Sequence, residues 1–310
     1  MKAAKQKQIL IAGATGLIGN EVVNSLLVHG YKIVILTRSA LRNDEWLKNP
    51  NISSIEWGGI FTNWLVREIE KSFAVINLAG ENIASKPWTR RRRMQLIRSR
   101  LGTTRALAKA CHYAEKKPKA FIQASASGYY STSTKDIQHE TSSQGTGFLA
   151  RLTADWESVA QHELPDNIRL VLIRTGVVLS KNDGMLPKLV LPIKLFIGGW
   201  FGSGQQPVPW IHIDDEVNAI IHLLHTETAS GPFNLVAPQS INQKDLTKAI
   251  AKKIRRIAWV PIPAPLIKLI LGQMGKELLL SGSLIDSSKL TKTGFTFQHL
   301  TVSKALDSLL

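Results

Sequence analysis

Three glycines spaced three apart, Gly13, Gly16 and Gly19, follow directly on the apolar run Ile9-Leu10-Ile11. Behind them Val22, Val23, Leu26 and Leu27 recur at helical spacing. Strand, glycine turn and helix in this order suit a pyrophosphate. Gly13 permits a tight turn, Gly16 lets the backbone approach a phosphate, and Gly19 lets the helix pack close to the sheet. The helix start adds free N–H groups and a positive dipole end, which brings Thr15, Leu17 and Ile18 into the same binding set. The chemistry is dinucleotide binding; the competing reading is a glycine turn with no ligand.

Other candidates lie at the ends of later apolar runs. Tyr31–Leu36 ends in Thr37-Arg38-Ser39. An acid at this point would accept hydrogen bonds from the ribose 2′-OH of NAD. Arg38 with the Ser39 hydroxyl suits a 2′-phosphate instead, by charge and by fork geometry, so NADP(H) is the expected cofactor. The alternative is an ordinary loop arginine. The strand Phe73–Leu78 ends beyond Leu78 in Ala79 and Gly80, small residues that leave room for the cofactor above the sheet edge, the alternative being a glycine loop with no ligand. Gly176 and Val177 follow the strand Arg169–Ile173, where the backbone is expected to run along the nicotinamide. Ser125 is a candidate to orient a carbonyl, and Tyr129 or Tyr130 to act as an acid. The competing reading has Ser125 and Tyr130 merely packing beside the cofactor.

The elements that position these groups alternate as strand and helix from Ile9 to Ile173, the pattern of a doubly wound parallel sheet. Ile52–Trp57 is expected as a further strand, Phe61–Ile69 as a helix, and Trp88–Cys111 as one long helix. Arg91, Arg98 and Arg105 recur every seven residues along it, some of them toward a cleft. Phe121–Ala124 and Phe148–His162 supply the next strand and helix. Beyond Gly176 the pattern changes. Asp183–Ile197 is helical but interrupted by Pro187 and Pro192, and residues 198–209 form a Gly- and Pro-rich loop. Ile213–His225 is helical, Pro232–Val236 a strand, Asp245–Ile254 a helix, and Leu266–Leu271 part of an apolar helix.

A chain of 310 residues with 44% hydrophobic content can bury a full core. One cysteine, Cys111, excludes an internal disulfide and is expected as a buried structural thiol, compatible with a reducing cytoplasm. The basic start is followed by an apolar run that breaks at Gly13, which argues against a signal peptide, and no stretch spans a membrane. The net charge of +16 includes the run Arg90–Arg93. Such a surface suits nucleic acid, anionic lipid or the steering of a phosphorylated cofactor; without an accompanying nucleic-acid motif, the run is expected to be a solvated face. Neither nucleic acid nor a membrane is the expected partner; a small molecule is, and the oligomeric state is left open. His212 beside Asp214 and Asp215 lacks metal-ligand spacing, so no metal is expected. Trp210 and His212 are instead assigned to the substrate cleft, with Asp214 or Asp215 near a helix N-cap.

Several motifs occur in an order that resembles one group of extended short-chain dehydrogenases/reductases (SDRs), within the NAD-dependent epimerase/dehydratase superfamily. They are the three glycines, Asn77-Leu78-Ala79-Gly80-Glu81, Trp88-Thr89, Ser99-Arg100, Ser125–Tyr130, Pro209–Asp215 and Gly294-Phe295-x-Phe297. The group is the atypical, YfcH-like epimerase family with a short DUF1731-type C-terminal domain. The resemblance implies an α/β fold, a Rossmann-like doubly wound parallel sheet, with a small α/β C-terminal substrate or cap domain. It implies NADP(H) binding by residues 1–180 and about 210–236, with about 181–209 and 237–310 as cap, and 261–308 as the C-terminal family domain. It also draws Glu81 and Arg100 toward the cleft, an ion pair being the alternative.

One departure from the SDR pattern matters. The Tyr-x-x-x-Lys pair of ordinary members should lie on the helix Phe148–His162, but counting back from Trp156-Glu157 puts Leu149 and Thr153 there. Arg151 is two positions away, almost on the opposite side of the helix. The resemblance therefore implies either an oxidoreductase or epimerase-like enzyme on a small carbonyl or hydroxyl compound, with a substitute proton donor, or a non-catalytic NADPH-binding or sensing protein.

Overall fold

The computed structural model describes residues 6–41, 43–130 and 136–310; the basic start of the chain, residues 1–5, lies outside them. The strands are β1 (Gln8–Ala12), β2 (Lys32–Thr37), β3 (Ile52–Glu56), β4 (Ser72–Asn77), β5 (Ala120–Ala126), β6 (Arg169–Thr175), β7 (Val177–Leu179), β8 (Trp210–His212) and β9 (Gly231–Leu235). The helices in the first half are α1 (Leu17–Val28), α2 (Asp44–Lys48), α3 (Asn63–Lys71), α4 (Arg90–Ile97), α5 (Thr103–Tyr113) and α6 (Phe148–Glu163). Those in the second half are α7 (Leu186–Lys194), α8 (Ile213–His225), α9 (Gln243–Lys253), α10 (Ala264–Leu278), α11 (Ser288–Thr291) and α12 (Val302–Leu309).

β1 shows why its sequence is continuously apolar. Ile9 and Ile11 enter the core on one sheet face with Val22 and Leu26 of α1 and Val217 and Ile220 of α8. Leu10 and Ala12 enter the core on the other face with Leu65 and Ile69 of α3 and Leu107 and Cys111 of α5. A strand covered on both faces has no solvent side for a polar residue. The main sheet has the order β3-β2-β1-β4-β5-β6-β9, with every neighbouring pair parallel. Chain direction across the sheet reverses between β1 and β4, and the crevice above that point is where such sheets bind ligands. β7 and β8 form a separate parallel pair that the sequence pattern did not reveal.

The expected long helix runs from Arg90 to Tyr113 but is interrupted by a π turn over Arg98–Gly102. Arg91, Arg98 and Arg105 all face solvent, and Arg105 pairs with Glu163 at 2.6 Å. The arginines that turn inward are Arg92 and Arg100, with Arg93 half-buried over the Phe148 ring at 5.4 Å. Met94, which stands at helical spacing with the apolar Ile97 and Leu101, is exposed. α7 is shorter than expected, and the chain leaves it through Phe196 at a φ of 62°. α10 is longer than expected and kinks at Gly272 (φ 54°, ψ −131°).

Two carboxylates, the buried Asp215 and the half-buried Glu277, fasten the C-terminal segment to the sheet layer. Asp215 accepts the backbone N–H groups of Gln298 at 2.7 Å and His299 at 2.9 Å. Glu277 accepts those of Phe148 at 3.0 Å and Leu149 at 2.9 Å, capping α6 where Gly147 has no side chain to do so. Cys111 is buried as expected, and burial pushes its thiol up to about 12. No helix among the described residues is long and apolar enough to cross a membrane.

Candidate functional site

The glycine turn sits at the carboxyl end of β1, and its three glycines have separable roles. Gly13 has a φ of +86°, and a Cβ there would lie 2.5 Å from the Leu78 backbone. A Cβ on Gly19 would lie 2.2 Å from the Gly13 carbonyl oxygen. Both are required by the protein's own packing. Gly16 is different: a Cβ there would meet nothing closer than the Gly13 carbonyl oxygen at 3.4 Å. It is the N-cap of α1 with ordinary extended backbone and no side-chain cap, so the N–H groups of Leu17, Ile18 and Gly19 point out beside Thr15. An uncapped helix start with a bare surface at Gly16 fits a phosphate group.

Leu78, Ala79 and Gly80 form the facing wall. Leu78 N–H donates to the Ala12 carbonyl at 2.8 Å, and Ala79 N–H to the Asn77 side chain at 3.2 Å. Asn77 is itself buried and donates to Thr104 at 3.0 Å and Gln123 at 2.9 Å. Trp156 donates its indole N–H to the same Thr104 at 2.8 Å. This network fixes the loop height above the sheet.

Around the loop, Glu81 is ion-paired with Arg38 and, at 3.1 Å, with Arg92. The Arg38 guanidinium, with Arg92 behind it, holds the Glu81 carboxyl below the usual carboxylate range. The Arg38 side chain is 79% exposed, and Ser39 beside it is also exposed. Arg100 binds the Glu81 backbone carbonyl at 3.1 Å rather than the carboxylate, and lies over the Trp156 ring at 5.2 Å. Burial and the neighbouring Arg92 lower its pKa to about 10. The π turn that carries Arg100 also carries Ser99, whose hydroxyl accepts Glu81 N–H at 3.1 Å. Arg92 was not singled out from sequence. It is buried and donates to Asn82 O at 2.7 Å and Ser85 at 2.9 Å besides Glu81.

Ser125, Tyr129 and Tyr130 are brought together, but two of the three are locked. Ser125 donates its hydroxyl proton to Glu157. Glu157 is clamped bidentately by Arg174, at 2.8 Å and 2.7 Å. Arg174 also donates to the Tyr130 oxygen at 2.9 Å, and Tyr130 donates to Asn234. All five side chains are buried. Burial presses Arg174 to lose its proton, the Glu157 carboxylate more than reverses this, and its pKa ends up raised. Burial likewise pushes the Tyr130 phenol up to about 12, against the shift an acid-base tyrosine needs. Both hydroxyl protons are thus engaged inside the protein, which is the arrangement of the competing reading, with Ser125 and Tyr130 packing as structural groups. Tyr129 is only half-buried, lies under the Arg174 guanidinium at 3.6 Å, and makes no hydroxyl hydrogen bond among the described residues. Leu149 and Thr153 do occupy the helix positions facing this turn: a Cβ on Gly128 would sit 3.3 Å from Leu149, and Thr153 bonds back to the Leu149 carbonyl at 2.8 Å. Sequence gave no sign of the Glu157–Arg174 pair, because each residue alone looks like an ordinary surface charge.

Four further assignments change. Gly176 is required by packing, a Cβ there meeting the Pro209 carbonyl oxygen at 2.4 Å, and Val177 N–H is spent on the same carbonyl at 2.6 Å. Both therefore serve the β7–β8 junction. Trp210 is fully buried with its indole N–H donating to the Gln239 carbonyl at 2.9 Å, so it does not line a cleft. His212 does not either. It is the N-cap of α8, the place expected for Asp214 or Asp215, and its Nδ1 accepts Asp214 N–H at 3.0 Å. Its Nε2 lies 3.0 Å from the Ser308 hydroxyl, and its ring stacks on His299 at 3.6 Å. Burial, then His299, lower its pKa. Folding thus adds His299, invisible at sequence level, to form with Asp214 a group whose ligand atoms lie within 4.8 Å. Both nitrogens of His212 are already engaged, Nδ1 in capping α8 and Nε2 with Ser308 of the C-terminal helix α12, which is a structural use of the cluster.

Next to the junction, Glu216 is fully buried. One oxygen accepts from Thr175 at 2.7 Å, and the other has no partner among the described residues. Burial pushes its carboxyl up to about 8.

Comparison with known proteins agrees with this architecture. Residues 9–236 match the NAD dependent epimerase/dehydratase family, and residues 262–309 match a domain of unknown function, DUF1731. The chain belongs to the NAD dependent epimerase/dehydratase family. It is 34% identical over 305 residues to the epimerase family protein SAR0825 of Staphylococcus aureus, covering 98% of this chain and 99% of that one. It is 33% identical over 299 residues to the epimerase family protein Mb2239 of Mycobacterium bovis, covering 96% of each. Among solved structures, human epimerase family protein SDR39U1 with NADPH superposes with a TM-score of 0.84 at 29% identity, covering 97% of this chain and 98% of that one. A nucleoside-diphosphate sugar epimerase from Corynebacterium glutamicum gives 0.77 at 27% identity, covering 98% of this chain and 58% of that one.

Proposed function

We propose that the cleft binds NADP(H) and that the protein is an oxidoreductase or epimerase-like enzyme acting on a small carbonyl or hydroxyl compound in the cytoplasm. The observation that carries the cofactor reading is Gly16, the one glycine of the turn whose missing side chain the protein's own packing does not require. The bare helix start would hold the pyrophosphate, Leu78–Gly80 would flank it, and Arg38 would meet the 2′-phosphate. The NADPH of the human relative supports that choice. The nicotinamide, when bound, supplies hydride. Tyr129 is then the group free to exchange a proton with the substrate oxygen, oriented by the Arg174 guanidinium against its ring.

A second reading, NADPH binding or sensing without catalysis, is favoured by the locked protons of Ser125 and Tyr130. Calorimetric titration of the cofactor-stripped protein with NADPH and then NADH tests the shared premise. NADPH oxidation against a panel of small aldehydes, ketones and nucleoside-diphosphate sugars then separates the readings. Turnover that Tyr129→Phe abolishes without weakening NADPH supports the enzyme. Tight NADPH binding with no turnover across the panel supports the sensor. If neither nucleotide binds, both readings fall.

A further inference from the structure

Ten of the large apolar side chains that stand exposed among the described residues come from three neighbouring segments: the end of α7 with the turn after it, residues 257–260, and the first half of α10. The segments touch. Ile262 N–H donates to the Trp200 carbonyl at 2.8 Å, a Cβ on Gly199 would meet the Val260 carbonyl oxygen, and the Arg256 guanidinium lies 5.2 Å over the Phe196 ring. They form one patch, with Phe196, Ile197, Trp259, Leu269 and Ile270 each more than half exposed. The opening of α10, Ala-Pro-Leu-Ile-Lys-Leu-Ile-Leu, is apolar nearly all round. A helix of that kind is normally buried on every side. Here Ile267 faces the protein, whereas Leu269, at 83% exposure, and Ile270 face out.

The charge around the patch is one-sided. Residues 184–205 and 250–276, which contain all ten side chains, hold eight Lys and Arg and no Asp or Glu. Lys194, Arg255, Arg256 and Lys268 stand exposed at its margin. The three acids nearest in contact or sequence are engaged elsewhere: Asp307 pairs with Lys253, Glu277 caps α6, and Asp183 accepts the Gly184 N–H at 2.6 Å. A second copy of the chain docking face to face would set these cations against each other, an electrostatically unfavourable contact. An anionic surface with an apolar interior satisfies both features at once.

We propose that this face docks on the surface of an anionic lipid bilayer, with Phe196, Trp259, Leu269 and Ile270 entering the headgroup boundary and the basic rim meeting the phosphates. Nothing needs to span the bilayer. The basic surface alone leaves anionic lipid as one of several partners, with none expected at a membrane; the apolar patch, assembled from three separate segments, is what turns the reading toward lipid.

The test is co-sedimentation of the full-length protein with phosphatidylcholine vesicles, and with vesicles containing about one-third phosphatidylglycerol. Analytical ultracentrifugation without lipid runs alongside. The expected result is binding at least about tenfold tighter to the anionic vesicles, weakened by salt. The double variant Leu269→Ser/Ile270→Ser should abolish it, and Arg255→Glu/Arg256→Glu should remove the preference for anionic lipid. Both should keep the wild-type melting temperature and NADPH affinity. Three results overturn the proposal: no sedimentation with anionic vesicles, vesicle binding untouched by either variant, or a dimer in solution that Leu269→Ser/Ile270→Ser dissociates.

Discussion

Glu216→Gln removes a proton requirement from the core. The carboxyl is fully buried, has Thr175 as its one hydrogen-bond donor among the described residues, and titrates near 8 in the folded chain against 4.5 in the unfolded one. Because the folded value is raised, the contribution of Glu216 to stability is fully present below pH 4.5 and is lost as pH rises through about 8. Each pH unit in that window costs about 1.4 kcal/mol. At pH 7.5 the group therefore opposes folding by about 4 kcal/mol. Glutamine keeps the shape and can still accept from Thr175, but leaves its amide N–H groups unpartnered, a cost of about 1–3 kcal/mol. The variant should be less stable than the parent near pH 5 and more stable by about 1–3 kcal/mol at pH 7.5. Urea unfolding of both proteins at several pH values measures this, and the pH dependence of every other group cancels in the difference. A difference that stays flat with pH would refute the claim that Glu216 is buried in its neutral form.

Three other outcomes follow from the cleft and its supports. Gly16→Val should fold normally, since nothing in the protein crowds that position, yet bind neither NADPH nor NADH in calorimetry; unchanged affinity would mean the turn is purely structural. Arg38→Asp should weaken NADPH by at least about tenfold more than NADH by reversing the charge at the 2′-phosphate, and equal losses would remove that role. Glu157→Gln leaves the Arg174 charge buried and half-paired, so chemical denaturation should show a loss of about 3–5 kcal/mol. Glu157→Leu combined with Arg174→Met should recover most of it, and failure to do so would assign the loss to packing instead.

The sheet, the glycine turn and the helices that cover them were legible because short-range patterns encode them. A strand buried on both faces must be continuously apolar, as Ile9–Ile11 and Val34–Leu36 are, and a turn with φ near +86° at Gly13 demands glycine. The family motifs add the loop Leu78–Gly80, and the end of the second apolar run places Arg38, by the same local logic. What the tertiary structure alone decided is the pairing of groups distant in sequence. Ser125 looked available for chemistry until Glu157 and Arg174, from a helix and a strand, converged on it. His212 looked like a cleft residue until His299, 87 positions later, stacked against it. The apolar patch likewise joins three segments, each of which looks like half of an ordinary buried helix or loop. Periodicity fixes which face of an element is apolar; only packing settles whether another element arrives to cover that face, and which polar partners a buried side chain finds there.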